Sequence, residues 1–79
     1  MEAGKAYIVR KNIFKLSVGQ ILTLKRCGYQ AYFDEYNFVF ADIENKNICV
    51  VLRGDDEEDM KIYHNLNEYF EELYDNTNL

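Results

Sequence analysis

The sequence predicts an α+β fold, a small twisted antiparallel sheet of four to six strands with one C-terminal helix packed on it. Between residues 5 and 64, short β-branched and aromatic runs alternate with polar or glycine breaks, a pattern typical of strands. After residue 65 the apolar residues recur three and four positions apart, which indicates a helix. With 79 residues, 48% of them apolar, the chain is predicted to form a single domain over residues 1–79.

Two strands are predicted in the N-terminal third. Ala6–Lys11 alternates loosely between apolar and polar residues, as a half-buried strand does. Leu16–Cys27 is rich in β-branched and apolar residues, and Gly19 permits a bend or bulge near its start. Within it, the residues VGQILTL (18–24) resemble the opening strand of SH3-like small barrels. This resemblance implies a barrel-like curvature of the sheet.

The next predicted elements are a short third strand and a β-hairpin. Tyr29–Phe33 is predicted as the third strand. Tyr36–Ile43 and Asn47–Arg53 are predicted to pair, because these two apolar runs flank the polar turn at residues 44–46. Both runs carry apolar residues at neighbouring positions, so both of their faces need cover, and the terminal helix is expected to supply it.

That helix is predicted from about Leu66 to Asp75. At about 100° per residue, four apolar side chains fall within one arc of the helix surface. They are Leu66, Tyr69, Phe70 and Leu73. Asn65, with Glu68 three residues later, matches a capping box at the helix start. Residues 54–59 are predicted to be an acidic loop, and Met60–Tyr63 fits both a sixth strand and the first turn of the helix.

Charge is sorted along the chain. Residues 1–33 carry six basic residues against one acidic residue, whereas residues 55–79 carry nine acidic residues against Lys61 alone. The net charge is −5. Such segregation indicates either an acidic surface directed at a basic partner or two poles that neutralise each other within the fold.

Two groups of acidic residues and two tyrosines are the predicted contacts with a partner. The first group is the run Asp55, Asp56, Glu57, Glu58 and Asp59, and the second is the exposed face of the predicted helix, Glu68, Glu71, Glu72 and Asp75. Like charges four positions apart destabilise a helix by about 0.2–0.5 kcal/mol per pair, and such a conflict with local rules is typical of functional sites. Tyr32 and Tyr36 are the predicted apolar anchors, since a tyrosine ring combines a large apolar surface with a hydroxyl that tolerates water.

The residues needed for catalysis or metal binding are scarce. Ser17 and His64 are the only serine and the only histidine, so a nucleophile held by an orienting base is not expected. The acidic run begins like an EF-hand loop, but Met60 and Leu66 replace the required glycine and glutamate. Cys27 and Cys49 lack metal-site spacing and are expected to be reduced. The sequence therefore predicts a non-enzymatic protein without a cofactor or metal.

The leading functional hypothesis is a small acidic domain that binds and covers a basic surface of a larger protein. Its sharpest form is an inhibitor or modulator of the phage or mobile-element type, whose carboxylates imitate the phosphates of a nucleic acid. No apolar run is long enough to span a membrane and no signal segment is recognised, so a cytoplasmic protein without a membrane partner is expected.

Two alternatives belong to different classes of protein. One is a small-barrel nucleic-acid binder that contacts phosphates through Lys11, Lys15, Lys25 and Arg26 and stacks bases on Tyr29 or Tyr32. The net charge of −5 argues against such direct binding. The other is a structural or assembly subunit that forms a homo-oligomer.

Overall fold

A five-stranded antiparallel sheet forms the centre of the fold in a computed structural model, which describes residues 1–73. The strands are β1 (Ala6–Val9), β2 (Ile21–Gln30), β3 (Glu35–Ala41), β4 (Asn47–Arg53) and β5 (Phe70–Glu72). Two short helices, α1 (Glu57–Tyr63) and α2 (Leu66–Tyr69), connect β4 to β5. The spatial order is β4-β3-β2-β1-β5, so this connection crosses the sheet from one edge to the other.

The core lies on one face of the sheet because alternate side chains of each strand point to that face. The buried set is Tyr7, Val9, Leu22, Leu24, Phe38, Phe40, Val50, Leu52 and Phe70. Ile13 and Leu16 from the β1–β2 connection join it, and apolar side chains of α1 and α2 pack against it. Phe40 is completely buried, and its ring centroid lies 5.2 Å from that of Phe70.

The hairpin of β2 and β3 extends beyond β1, which pairs only with residues 21–23 of β2, while Glu35–Asn37 remain paired with β4. Its register is irregular between Leu24 and Arg26, which leaves Lys25 as an extra residue in β2. Such a bulge exchanges the faces of the residues that follow it, so Cys27 and Tyr29 share the core face with Leu24. From Lys25 to Gln30 every residue of β2 is exposed. We call the projecting part, residues 27–37, the arm.

The coarse fold prediction is confirmed: the chain is a small α+β domain with a short C-terminal helical segment packed on an antiparallel sheet. The hairpin predicted from Tyr36 to Arg53 is present, with β3 beginning one residue earlier. The predicted third strand is wrong, because Tyr29 and Gln30 complete β2 and residues 31–34 form the turn at the tip of the arm. An SH3-like closure is not confirmed, since within residues 1–73 β4 and β5 remain separate edges of an open sheet.

The predicted helix from Leu66 to Asp75 is wrong in its extent. α2 ends at Tyr69, and β5 then pairs antiparallel with β1, Phe70 opposite Val9. A strand at Phe70 pairs with the backbone N–H and C=O groups of β1 that would otherwise lack partners, and it still buries the ring of Phe70. This tertiary pairing therefore outweighs the helical spacing of apolar residues in the local sequence. Asp75 lies outside the described residues.

The predicted capping box is also wrong. The side chain of Asn65 makes no cap at α2, and its Nδ2 donates instead to the carbonyl oxygen of Lys61, 2.7 Å away. Residues 60–63, for which the sequence left strand and helix open, belong to α1. α1 begins within the predicted acidic loop, where Asp56 is its N-cap. Within residues 1–73, neither helix has the length and apolar character needed to cross a bilayer.

Replacing the central ring of the core tests this packing. We expect Phe40→Ala to destabilise the domain by about 3–5 kcal/mol, which is comparable with the whole stability of a domain of this size. The measurement is thermal unfolding followed by circular dichroism, in which the cooperative transition should shift far down or disappear. Ile43→Ala is the matched control, because Ile43 is 84% exposed and its truncation should change stability by no more than about 0.5 kcal/mol. Equal effects of the two substitutions would contradict the assignment of the core.

Candidate partner-binding surface

Three of the four acidic residues predicted to share one helix face, Glu68, Glu71 and Glu72, lie instead around the β1–β5 edge, close to basic residues of the N-terminal third. A carboxylate oxygen of Glu72 lies 2.9 Å from Nζ of Lys5. Glu71 approaches Nη1 of Arg10 at 2.9 Å, and Glu68 approaches Nζ of Lys11 at 3.6 Å. Glu71 and Glu72 are consecutive residues of a strand and therefore point to opposite faces of the sheet.

These contacts correct the prediction of a single acidic helix face. Because the helix ends at Tyr69, Glu71 and Glu72 cannot lie on it, and all three acidic side chains have a basic neighbour within the chain. The hydrogen bond to Glu72, together with the nearby charge of Glu2, raises the pKa of the Lys5 amine. Of the two interpretations of the segregated charge, neutralisation within the fold describes this cluster.

The acidic run of residues 55–59 has a different structural setting. Asp56 Oδ1 accepts a hydrogen bond from the backbone N–H of Asp59 at 3.0 Å and so caps α1. Asp59 Oδ2 accepts from the backbone N–H of Arg53 at 3.0 Å, at the end of β4. Acidic residues in the first turn are also favoured by the helix dipole. Asp56 and Asp59 are therefore held by the fold.

The other three acidic residues of the run are exposed to solvent. Asp55 lies 3.6 Å from Nε of Arg53, and Glu58 lies 4.0 Å from Nζ of Lys61, both in exposed pairs that contribute little stability. The side chain of Glu57 forms no ion pair or hydrogen bond with another residue of the described chain. The carboxylates of Asp55, Glu57 and Glu58 are thus available to a partner.

The two predicted tyrosine anchors have different environments. Tyr36 is half-buried in a stack of three rings, its centroid 4.6 Å from that of Tyr29 and 4.0 Å from that of Tyr63. Tyr32 is 90% exposed in the turn at the tip of the arm. Beside it, Phe33 is 56% exposed and meets the ring of Tyr32 edge-to-face at 4.9 Å. Tyr36 stiffens the arm, and Tyr32 and Phe33 form its apolar tip.

A backbone contact joins this tip to the acidic run. The N–H of Gly54 donates to the carbonyl oxygen of Asp34 at 2.8 Å. The acidic run, which begins at the next residue, therefore starts beside the turn of the arm. Glycine at position 54 leaves room for the Asp34 carboxylate, which would have to shift to make room for a Cβ. We call the combined region the apical surface. It comprises Tyr32, Phe33, Asp55, Glu57 and Glu58.

The sequence identified four of these five residues and missed Phe33. The sequence predicts a strand that ends at Phe33, and a strand residue is not expected to be an exposed contact. The signal that could have revealed it is the polar pair Asp34-Glu35, which follows two aromatic residues as in an exposed turn. The adjacency of Tyr32 and Phe33 to the acidic run depends on the Asp34–Gly54 contact, which no local sequence pattern predicts.

The basic residues proposed for nucleic-acid binding are not brought together with the rings. Lys11 is paired with Glu68 and lies 5.3 Å from the centroid of the Tyr69 ring. Arg26 and Tyr29 project from opposite faces of β2 because they are three positions apart on the strand. A single bound strand would therefore not contact Arg26 and Tyr29 together.

No protein-family model, curated protein or solved structure matches this chain. Within residues 1–73, no three histidine, cysteine or acidic side chains are grouped as metal ligands. Cys27 and Cys49 are free thiols on the exposed surface. His64 packs edge-to-face on Tyr63 at 5.5 Å.

The hydrogen bond inside the arm gives a pH-dependent prediction. The hydroxyl of Tyr29 donates to Oδ1 of Asp34 at 2.7 Å, and this bond raises the pKa of Tyr29 above the ordinary tyrosine value. A raised pKa adds stability below the pKa of the unfolded chain, and this stability is lost as pH increases through the folded-state pKa. We expect NMR titration of the labelled Tyr29 ring to show late ionisation.

Asp34→Asn is the matched variant for this titration. Asparagine tolerates the positive φ of 51° at this position but removes the negative charge. The pKa of Tyr29 should therefore move back towards its ordinary value. An unchanged titration of Tyr29 in the variant would show that Asp34 is not the cause.

Proposed function

We propose that this protein is a small non-enzymatic binding domain that docks on a larger protein through the apical surface. The observation that supports this most directly is the exposure of two adjacent aromatic rings, Tyr32 and Phe33, in the turn at the end of the arm. Aromatic side chains of this kind provide most of the binding energy when they enter a pocket of a partner.

The arm is held in a defined position, which favours binding. Its ladder continues to the pair Gln30 and Glu35, directly before the turn. The ring of Tyr63 from α1 supports Tyr36, and Gly54 holds the carbonyl of Asp34. A tip that is ordered before binding loses less conformational entropy in the complex.

The acidic part of the surface selects the chemistry of the partner. Asp55 follows Gly54, which is bonded to the turn of the arm, and Glu57 and Glu58 begin α1 two and three residues later, so the matching surface is an apolar pocket with lysine or arginine at its rim. Attraction between such rims accelerates association and weakens as salt is added. A basic surface that normally binds nucleic acid has this chemistry, and a protein covering it would act as an inhibitor or modulator of the mobile-element type. Glu68, Glu71 and Glu72 lie around the β1–β5 edge, whereas the acidic run follows β4 at the opposite edge of the sheet, so they are left out of this interface.

Site-specific photocrosslinking in cells of the native host tests the surface. A benzophenone amino acid at position 32 should give a discrete adduct with one protein, which mass spectrometry identifies. Position 43 is the matched control, because Ile43 is also highly exposed and apolar but lies in the turn at the other end of β3. Identical adducts from both positions, or none from position 32, would contradict the proposal.

Binding to the partner identified by crosslinking then measures the separate contributions of the aromatic and the acidic residues. We expect Tyr32→Ala or Phe33→Ala to weaken binding by about 30-fold or more, as for a residue at the centre of an interface. Charge reversal by Glu57→Lys with Glu58→Lys should slow association and reduce its dependence on salt. Ile43→Ala and Glu71→Gln are the controls, and surface plasmon resonance at two salt concentrations is the measurement. An affinity that does not change with salt concentration would show that the acidic residues do not contribute to binding.

A further inference from the structure

Within residues 1–73, β4 is an edge strand whose outward backbone groups are mostly unpaired. The N–H of Asp42 donates to the carbonyl of Lys46 at 2.9 Å, which fixes the alternation of the β3–β4 ladder. By this alternation the backbone groups of Ile48, Val50 and Leu52 point to β3. Those of Asn47, Cys49, Val51 and Arg53 point away from the sheet.

One end of this edge is closed by the turn that leads into α1. The outward N–H of Arg53 donates to the carboxylate of Asp59, and the carbonyl of Arg53 accepts from the N–H of Asp56 at 3.2 Å. Among residues 1–73, no side chain or loop backbone hydrogen-bonds the outward groups of Asn47, Cys49 and Val51. The open segment is therefore Asn47–Val51.

This open segment lacks the features that normally protect an edge strand. It contains no charged residue and no proline, and its pairing with β3 is continuous and free of bulges. Natural sheets discourage edge-to-edge contact with lysine, proline or a bulge at such positions. An unprotected edge of this kind is a template for another strand.

Phe14 provides an apolar contact beside the open segment. It lies in a tight turn, in which Ile13 and Leu16 exchange two backbone hydrogen bonds of 3.1 and 2.8 Å. Its φ of 52° is a conformation in which glycine is expected, yet its ring is 61% exposed and lines a groove along residues 47–51. Sequence and local geometry therefore conflict at a position that presents an aromatic ring to the edge.

We propose that a second copy of this chain binds there, with the two β4 strands antiparallel and Cys49 opposite Cys49 of the second copy. In this register Asn47 of each copy faces Val51 of the other, so the whole open segment is paired in both chains. Every outward N–H and C=O of the segment then has a partner. Both Phe14 rings lie on the same face of the joined sheet, next to the new junction.

The charges at the two ends of the segment favour a second copy over an unrelated peptide. At the Asn47 end, Lys25 and Arg26 border a depression shared with Asn45 and Asn47, and neither forms an ion pair with another described residue. At the Arg53 end, the chain continues into the acidic run that begins at Asp55. Antiparallel pairing places the basic end of each copy beside the acidic end of the other.

Cysteine crosslinking tests the register. Both cysteines are exposed, so two single-cysteine variants can be compared. With a short bis-maleimide reagent, Cys27→Ser, which retains Cys49, should give a covalent dimer because facing Cα atoms in such a ladder are about 5.5 Å apart. Cys49→Ser, which retains Cys27, should give no covalent dimer. Equal crosslinking of the two variants would overturn the register.

Sedimentation equilibrium tests the association itself. The wild-type protein should have the mass of two chains and should dissociate on dilution and at high salt. Phe14→Gly relieves the unfavourable φ, so the fold is retained, and the dissociation constant of the dimer should rise at least tenfold. Ile43→Ala should leave that constant unchanged. A single-chain mass at every concentration would overturn the proposal, as would an edge that binds only peptides of another protein.

The aromatic tips, Tyr32 and Phe33, lie at opposite ends of the proposed dimer, whereas the acidic run that begins at Asp55 is shared by the two proposals. Failure of the dimer would appear in the Phe14 and Cys49 experiments, whereas failure of the proposed function would appear at Tyr32. The two proposals are therefore tested separately.

Discussion

The antiparallel pairing of β5 with β1 is the constraint on which the rest of the arrangement depends. To reach that edge from β4, the chain must cross the core face, and α1 and α2 are the segments that make the crossing. The pairing buries Phe70 against Phe40 and brings Glu71 and Glu72 beside basic residues of the N-terminal third. It also leaves β4 as the opposite edge of the sheet.

The acidic residues from position 55 to position 72 consequently fall into two groups with different physical roles. Those near β5 are paired with Lys5, Arg10 and Lys11, whose positions are set by β1 and the residues after it. Those at residues 55–59 begin a helix, where an aspartate caps the backbone and the helix dipole favours negative charge. Part of the acidic run at residues 55–59 therefore serves to begin α1. Only its exposed members remain for the recognition of a partner.

Three of the exposed aromatic residues, Phe14, Tyr32 and Phe33, lie in turns that contain a residue with positive φ. Phe14 and Asp34 both have positive φ, and they lie in the two turns that present Phe14 and the pair Tyr32 and Phe33 to solvent. Strain of this kind persists only where the surrounding structure imposes it. In the turn that contains Phe14, Leu16 is hydrogen-bonded to Ile13. In the turn that contains Asp34, Gly54 donates to the Asp34 carbonyl. Each of these hydrogen bonds also positions a candidate interface.

The amino-acid sequence by itself determined the fold class, the first strand and the β3–β4 hairpin, because alternation and turn composition act between neighbouring residues. It also determined that Tyr32 and the acidic run were candidates for recognition. Only the tertiary structure decided that Phe70–Glu72 is a strand, since the backbone of β1, more than sixty residues earlier, supplies its hydrogen bonds. The partners of Glu71 and Glu72 and the proximity of Tyr32 to Asp55 follow from contacts between segments distant in sequence, which no local pattern encodes.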